Sequence, residues 1–168
     1  MMTECGGPKW ILNNIGGIML SVGDKAPEFT LPNQDGENVS LDDFSGKKVV
    51  LWFFTKASTS GWTTEGQGFR DELQKFKEKN VAVIGMSADS VQRQKNFCDK
   101  QSFEYPILSD ESKDVIKSYG AWGVKKMYGN EYEGIYRSTY IIDENGKIEK
   151  VFSKVATKTH AKDVLAEL

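Results

Sequence analysis

The 168-residue chain holds few side chains able to do covalent chemistry: two cysteines, Cys5 and Cys98, and a single histidine, His160. Two cysteines this far apart do not make the disulfide framework of a small secreted domain. One histidine leaves too few ligands for a zinc centre, so no metal or other cofactor is expected. The chemistry is better sought in a stretch than in a residue type. Residues 49–76 read VVLWFFTKASTSGWTTEGQGFRDELQKF. An apolar strand at 49–54 meets a small polar loop at 55–61, and a helix over 63–79 follows, with Phe69, Leu73 and Phe76 at i, i+4 and i+7. Such a strand–loop–helix aims the first N–H groups of the helix, and the positive end of its dipole, at the loop. An anion or a developing oxyanion is stabilised there, so the reactive group belongs at the helix head. Trp62 occupies that place, and an indole N–H is a donor only, with no nucleophile to offer.

The remaining elements follow from periodicity and turn chemistry. Residues 1–18, MMTECGGPKWILNNIGGI, contain two Gly-Gly pairs and Asn-Asn and lack the basic start and apolar run of a cleaved signal. They read as a disordered extension that includes Cys5, and the domain is expected over 19–168. Apolar pieces at 29–31 and 39–41 flank PNQDGEN and predict an N-terminal hairpin. VAVIGM at 81–86 is a strand buried on both faces. Ser90 can cap a helix over 91–100, Tyr105-Pro106 interrupts the chain, and 107–108 is a short strand. A helix with Val115, Ile116 and Tyr119 stops at Gly120. Residues 121–134 read as a loop rich in glycine and aromatics, and 135–142 as a strand. Asn145-Gly146 turns that strand back onto 148–152. The last helix carries Ala161, Val164, Leu165 and Leu168. Buried parallel strands with a late antiparallel hairpin predict an α/β domain of thioredoxin-like topology. Its mixed central sheet is flanked by helices on both faces, with an added N-terminal β-hairpin.

Composition excludes several functions. Lys and Arg number 22 against 24 Asp and Glu, for a net charge of −2, and the charges interleave along 70–79. That is a solvated helix face rather than a nucleic-acid strip. No apolar run approaches the ~20 residues needed to span a bilayer, so no membrane role is expected and the cytoplasm is the default location. Gly61, Gly66 and Gly68 do not form a phosphate loop, and no Lys-Ser/Thr pair follows them.

The segment TKASTSGWTTEGQGFRD, residues 55–71, resembles the active-site segment of peroxiredoxins of the bacterioferritin-comigratory, or Q, type. Blocks on either side match the family in the same order: APEFTLPNQDGENVSLDDFSGKKVVLWFF before it and GIYRSTYIIDENGKIEKVF after it. The resemblance implies a thiol peroxidase that reduces hydrogen peroxide and alkyl hydroperoxides and is recycled by a thioredoxin-like reductant, as a monomer or weak homodimer. The family's loop reads Pro-x-x-x-Thr-x-x-Cys, and its cysteine thiolate attacks the peroxide O–O bond. Carried over residue by residue, Thr59 falls on the motif threonine. Arg137 falls on the arginine that lowers the thiolate pKa, and Glu65 on the acidic residue that orients it. Cys98, in KNFCDKQSFEYPILSD, falls on the resolving cysteine of one variant of the family; a buried core thiol facing the same way as Val91 is the plain alternative.

Two positions depart from the pattern. Thr55 stands where the family has proline, and Trp62 where it has the peroxidatic cysteine. Loss of a covalent nucleophile costs about 10⁶-fold in rate in a well-studied case, so the activity implied by the family is expected to be absent or residual here. The chain is then an active-site variant or a pseudoenzyme. A different class of reading is a non-catalytic binding or holdase module on the same fold, with Trp62 as an exposed anchor. Lys56, Lys125 and Lys126 read as surface lysines and His160 as a helix-end residue. Trp122, Tyr128, Tyr132 and Tyr136 read as cover for the pocket edge or the core.

Overall fold

The computed structural model describes residues 20–54, 60–127, 129–136, 138–152 and 160–168. The expected N-terminal extension and its Cys5 lie outside the described residues. Among those described, the sheet is built on β3 (Lys48–Phe53), which is rich in β-branched and aromatic side chains that suit a pleated surface. β3 pairs in parallel with β4 (Val81–Ser87), and β4 in parallel with β5 (Ile107–Ser109). On its other edge β3 pairs antiparallel with β8 (Ser138–Ile142), and β8 antiparallel with β9 (Ile148–Phe152). The order is β5-β4-β3-β8-β9, a mixed five-stranded sheet.

Side-chain alternation divides the core into two layers. Val49, Leu51 and Phe53 of β3 join Ile84 and Met86 of β4 and Tyr140 and Ile142 of β8 on one face. Val50 and Trp52, with Val83 and Ile141, point to the other. The first face is covered by Phe29 and Leu41, which bracket an N-terminal hairpin of β1 (Thr30–Pro32) and β2 (Asn38–Ser40), and by Ile116 of a short helix, Asp114–Ser118. The second is covered by four helices: α1 (Ser60–Asp71), α2 (Leu73–Glu78), α3 (Val91–Gln101) and α5 (His160–Ala166), the Asp114–Ser118 helix being α4. The thioredoxin-like topology, with its mixed sheet flanked by helices, is the one expected.

Three local expectations need correction. The helix foreseen over 63–79 starts earlier and bends at Glu72 (φ −99°, ψ 5°), whose own N–H still reaches the Gly68 carbonyl. Residues 121–134 are not a loop: β6 (Trp122–Met127) and β7 (Asn130–Ile135) form a separate two-stranded sheet. The single strand foreseen at 135–142 is therefore two pieces, Ile135 pairing with Trp122 and Ser138 with Phe53. Tyr136 N–H bonds to the Ala121 carbonyl at 2.7 Å and marks the crossing between the sheets. The foreseen strand, helix and turn positions elsewhere hold within a residue or two. Ser90 accepts the Arg93 N–H as an N-cap, and Gly36 and Gly146 turn their hairpins at φ +79° and +80°.

Gly85 shows how closely side chains of the neighbouring strands close over β4. A Cβ there would lie 2.7 Å from Ile107 Cδ1 and 3.0 Å from Trp52 Nε1. Gly85→Ala should therefore destabilise the fold by about 1–3 kcal/mol, the range for overpacking a filled core. A lowered urea midpoint with an unchanged m-value is the expected result.

Candidate active site

The helix head foreseen from sequence is held by the sheet. Phe54 continues β3 by donating its N–H to the Met86 carbonyl at 3.1 Å, and α1 begins at Ser60. Ser138, the first residue of β8, stands in register with Phe53. The carboxyl end of β3 thus meets the amino end of β8. Trp62 is the third residue of α1, in the turn whose N–H groups have no partner within the helix. Only its backbone is described. Thr55, Thr59, Arg137, Lys56 and Tyr128 lie outside the described residues.

Glu65, the expected orienting carboxylate, is on α1 and only 1% exposed. A carboxylate this buried requires hydrogen-bonding or ionic partners, and Glu65 has one. Gly66 follows it, and a Cβ there would lie 2.6 Å from Phe103 Cζ and 3.3 Å from the Trp52 ring. Glycine lets α1 approach this aromatic wall. Tyr105 completes the wall: it stacks on Phe103 with ring centroids 5.3 Å apart and donates its phenol to the Gly66 carbonyl at 2.9 Å.

Cys98 lies on α3 and is 3% exposed, packed in the same layer as Phe97, Phe103 and Tyr105. Burial, reinforced by Asp99 and Asp35 and opposed by Lys95, pushes its thiol up to about 12. At neutral pH it is a protonated thiol and no nucleophile. Tyr105 is held well above the usual phenol range by burial first, then by the neighbouring Cys98 and Glu65. Tyr105 thus bonds to the residue after the α1 carboxylate and shares a core layer with the α3 thiol.

The Tyr105-Pro106 pair reads from sequence only as a chain break, so the role of Tyr105 was missed. Its signal is weak: a lone aromatic after a helix end. His160 is the first residue of α5, as foreseen, and it is buried. Its Nε2 lies 2.8 Å from Thr139 Oγ1, and its ring meets the faces or edges of Phe69 and Phe152 at near right angles. Trp122 packs against the core with Lys113 and Lys117 ammonium groups 5.5 and 6.0 Å from its ring centroid. Tyr136 lies against Gly123, where a Cβ would come within 2.6 Å of its hydroxyl. Among the described residues no cluster of three metal-ligating side chains occurs, and no helix is long and apolar enough to cross a membrane. A surface cavity of about 400 Å³ opens at the opposite end of β3, beside Val49, and touches none of these residues.

A model described as the AhpC/TSA family matches residues 22–151. Peroxiredoxin Bcp of Escherichia coli is 42% identical over 146 residues, 87% of this chain and 94% of that protein. Among solved structures, a Cys-to-Ser mutant of PrxQ from Xylella fastidiosa superposes with a TM-score of 0.84 at 31% identity, covering 89% of this chain and 96% of that one. Peroxiredoxin Q of Xanthomonas campestris gives 0.79 at 34% identity, over 83% and 88%.

The raised Cys98 pKa sets a sign for alkaline stability. Unfolded, the thiol titrates near about 8.5; folded, it keeps its proton to about 12. Stability is unaffected below the lower value. It falls as pH rises between the two, because the unfolded chain alone sheds the proton. Urea midpoints should decline from about pH 8.5. In Cys98→Ala the onset should move to about pH 10, where the buried tyrosines take over.

Proposed function

The chain belongs to the AhpC/TSA family as a peroxiredoxin of the Bcp, or Q, type, and we propose that it is a thiol-peroxidase scaffold whose peroxidatic cysteine is replaced by Trp62. One observation carries the reading: the residue in the unpaired first turn of α1, the helix that follows β3 in the chain, is a tryptophan. In the family's reaction a thiolate there attacks one peroxide oxygen. The O–O bond breaks, water or an alcohol leaves, and the sulfur becomes a sulfenic acid. A second thiol then attacks that sulfur, releasing water and forming a disulfide, which a thioredoxin-type dithiol reduces.

The resemblance assigns the remaining roles to other residues of the chain. Thr59 is the hydroxyl that would contact the peroxide. Arg137 is the cation that would hold a thiolate ionised, and the buried Glu65 would orient it. Cys98 is the resolving thiol, without a partner in this chain. Alkyl peroxides are a reasonable substrate class, since a solved relative from Xanthomonas campestris is described by its alkyl peroxide reduction activity. The domain is taken to run over residues 19–168, in the cytoplasm, as a monomer or weak homodimer.

Peroxide consumption with a thioredoxin system measures this directly. The chain as it stands should show no turnover above the reagent blank. Trp62→Cys should raise the rate by several orders of magnitude, toward the ~10⁶-fold that a covalent nucleophile supplies. On non-reducing gels that variant should form a peroxide-dependent disulfide that Cys98→Ser abolishes. Turnover by the unaltered chain comparable to the variant's would sink the proposal.

A further inference from the structure

We infer that Gln34 guards the outer edge of β5: its side-chain amide takes the two hydrogen bonds through which β5 would otherwise accept a strand from a second copy of the chain. Among the described residues the sheet order ends at β5, with no strand of that sheet beyond it. Backbone bonds show which of its residues face inward. Gly85 donates its N–H to the Pro106 carbonyl at 3.0 Å, and Asp110 donates its N–H to the Ser87 carbonyl at 2.9 Å. Residues 106 and 110 therefore turn toward β4, and alternation turns 105 and 107 outward. Those outward groups meet Gln34. Its Oε1 accepts the Ile107 N–H at 3.0 Å, and its Nε2 donates to the Tyr105 carbonyl at 3.1 Å. A neighbouring strand would offer the same pair, one carbonyl and one N–H. The opposite orientation of the amide would set N–H against N–H and oxygen against oxygen, so its partners fix it.

The turn between β1 and β2 holds Gln34 in place. Asn33 Oδ1 accepts the Asp35 and Glu37 N–H groups at 2.9 and 3.0 Å. The Asn33 N–H reaches the Glu37 carbonyl at 2.8 Å, and Gly36, at φ +79°, donates its N–H back to the Asn33 carbonyl at 3.0 Å. Both flanks of Gln34 are pinned, so little backbone freedom is lost when its amide engages. β5 itself shows other edge defences: it is three residues long and follows Pro106, which has no N–H to offer a ladder. The opposite edge is closed by backbone instead. There Ile148 of β9 accepts the Gly23 N–H and donates its own to the Asp24 carbonyl, both at 2.8 Å. The segment from Gly23 to Gln34 thus meets both edges of the sheet. Ile107 is fully buried, and without Gln34 its N–H loses this partner. A buried donor left bare is costly. The β5 of a second copy, antiparallel across a twofold axis, presents the same outward groups and can satisfy them.

Hydrogen exchange of the Ile107 amide tests the guard, read by NMR on the full chain in reducing buffer at low and high protein concentration. Gln34→Met keeps much of the side chain's shape and removes both bonds. In dilute solution its Ile107 amide should exchange about tenfold faster or more, the worth of two hydrogen bonds. On concentration the protection should return, in step with self-association measured by sedimentation. The unaltered chain should associate less and keep Ile107 protected at every concentration. Gln34→Ala should repeat both changes. Thr30→Val is the control, since it breaks the Thr30–Ser40 hydroxyl pair (2.7 Å) in the same hairpin and leaves β5 alone. It should speed Ile107 exchange no more than it raises the global unfolding constant measured in urea. Ile107 exchange unchanged in Gln34→Met, exchange that only tracks global unfolding, or a Gln34→Met chain that associates no more than the unaltered one would each overturn the guard.

Discussion

β3 is hydrogen-bonded along both edges and buried on both faces, so nearly every group in it is committed to a neighbour. Its two side-chain rows fix both core layers at once, and its two partners run in opposite directions. The parallel partner places the carboxyl ends of β3 and β4 together; the antiparallel partner brings the amino end of β8 to the same place. α1 follows β3 in the chain, and Ser138 of β8 stands in register with Phe53 at the end of β3.

Burial then sorts the ionisable groups. Glu65 on α1, Tyr105 after α3 and Cys98 on α3 are all almost fully covered, and they lie in one aromatic layer. Burial disfavours the charged forms of the thiol and the phenol, so both stay protonated at neutral pH. A thiol in that setting is protected chemically as well as sterically. The absence of a nucleophile at the helix head, proposed for Trp62, therefore has no substitute in Cys98 where it lies.

Much of this was legible in the chain itself. Continuous apolar runs in VVLWFF and VAVIGM gave two strands buried on both faces, and Asn145-Gly146 and Asp35-Gly36 gave two hairpins, because two-sided burial and positive-φ turns leave a direct mark on residue type. The β6–β7 hairpin escaped, since residues 121–134 lack an alternating apolar face and pair outside the main sheet. The bend at Glu72 escaped as well, for no glycine or proline marks it. Of the candidate site, the helix head and the positions of Glu65 and Cys98 on α1 and α3 were legible. His160 and Tyr105 were not, because a histidine at a helix start and a tyrosine before proline look the same whether exposed or buried.

The sequence alone determined the main-sheet elements and that a tryptophan stands in the first turn of α1. These depend on local periodicity and on residue identity. Only the tertiary structure decided which polar side chains are buried and what they touch. The Tyr105 bond to Gly66, the hold of Gln101 on Gln67 and Arg70, and the His160 contact with Thr139 all join segments about 20 to 40 residues apart. Such contacts exist only once the sheet has brought their elements together, and no local pattern in the chain encodes them.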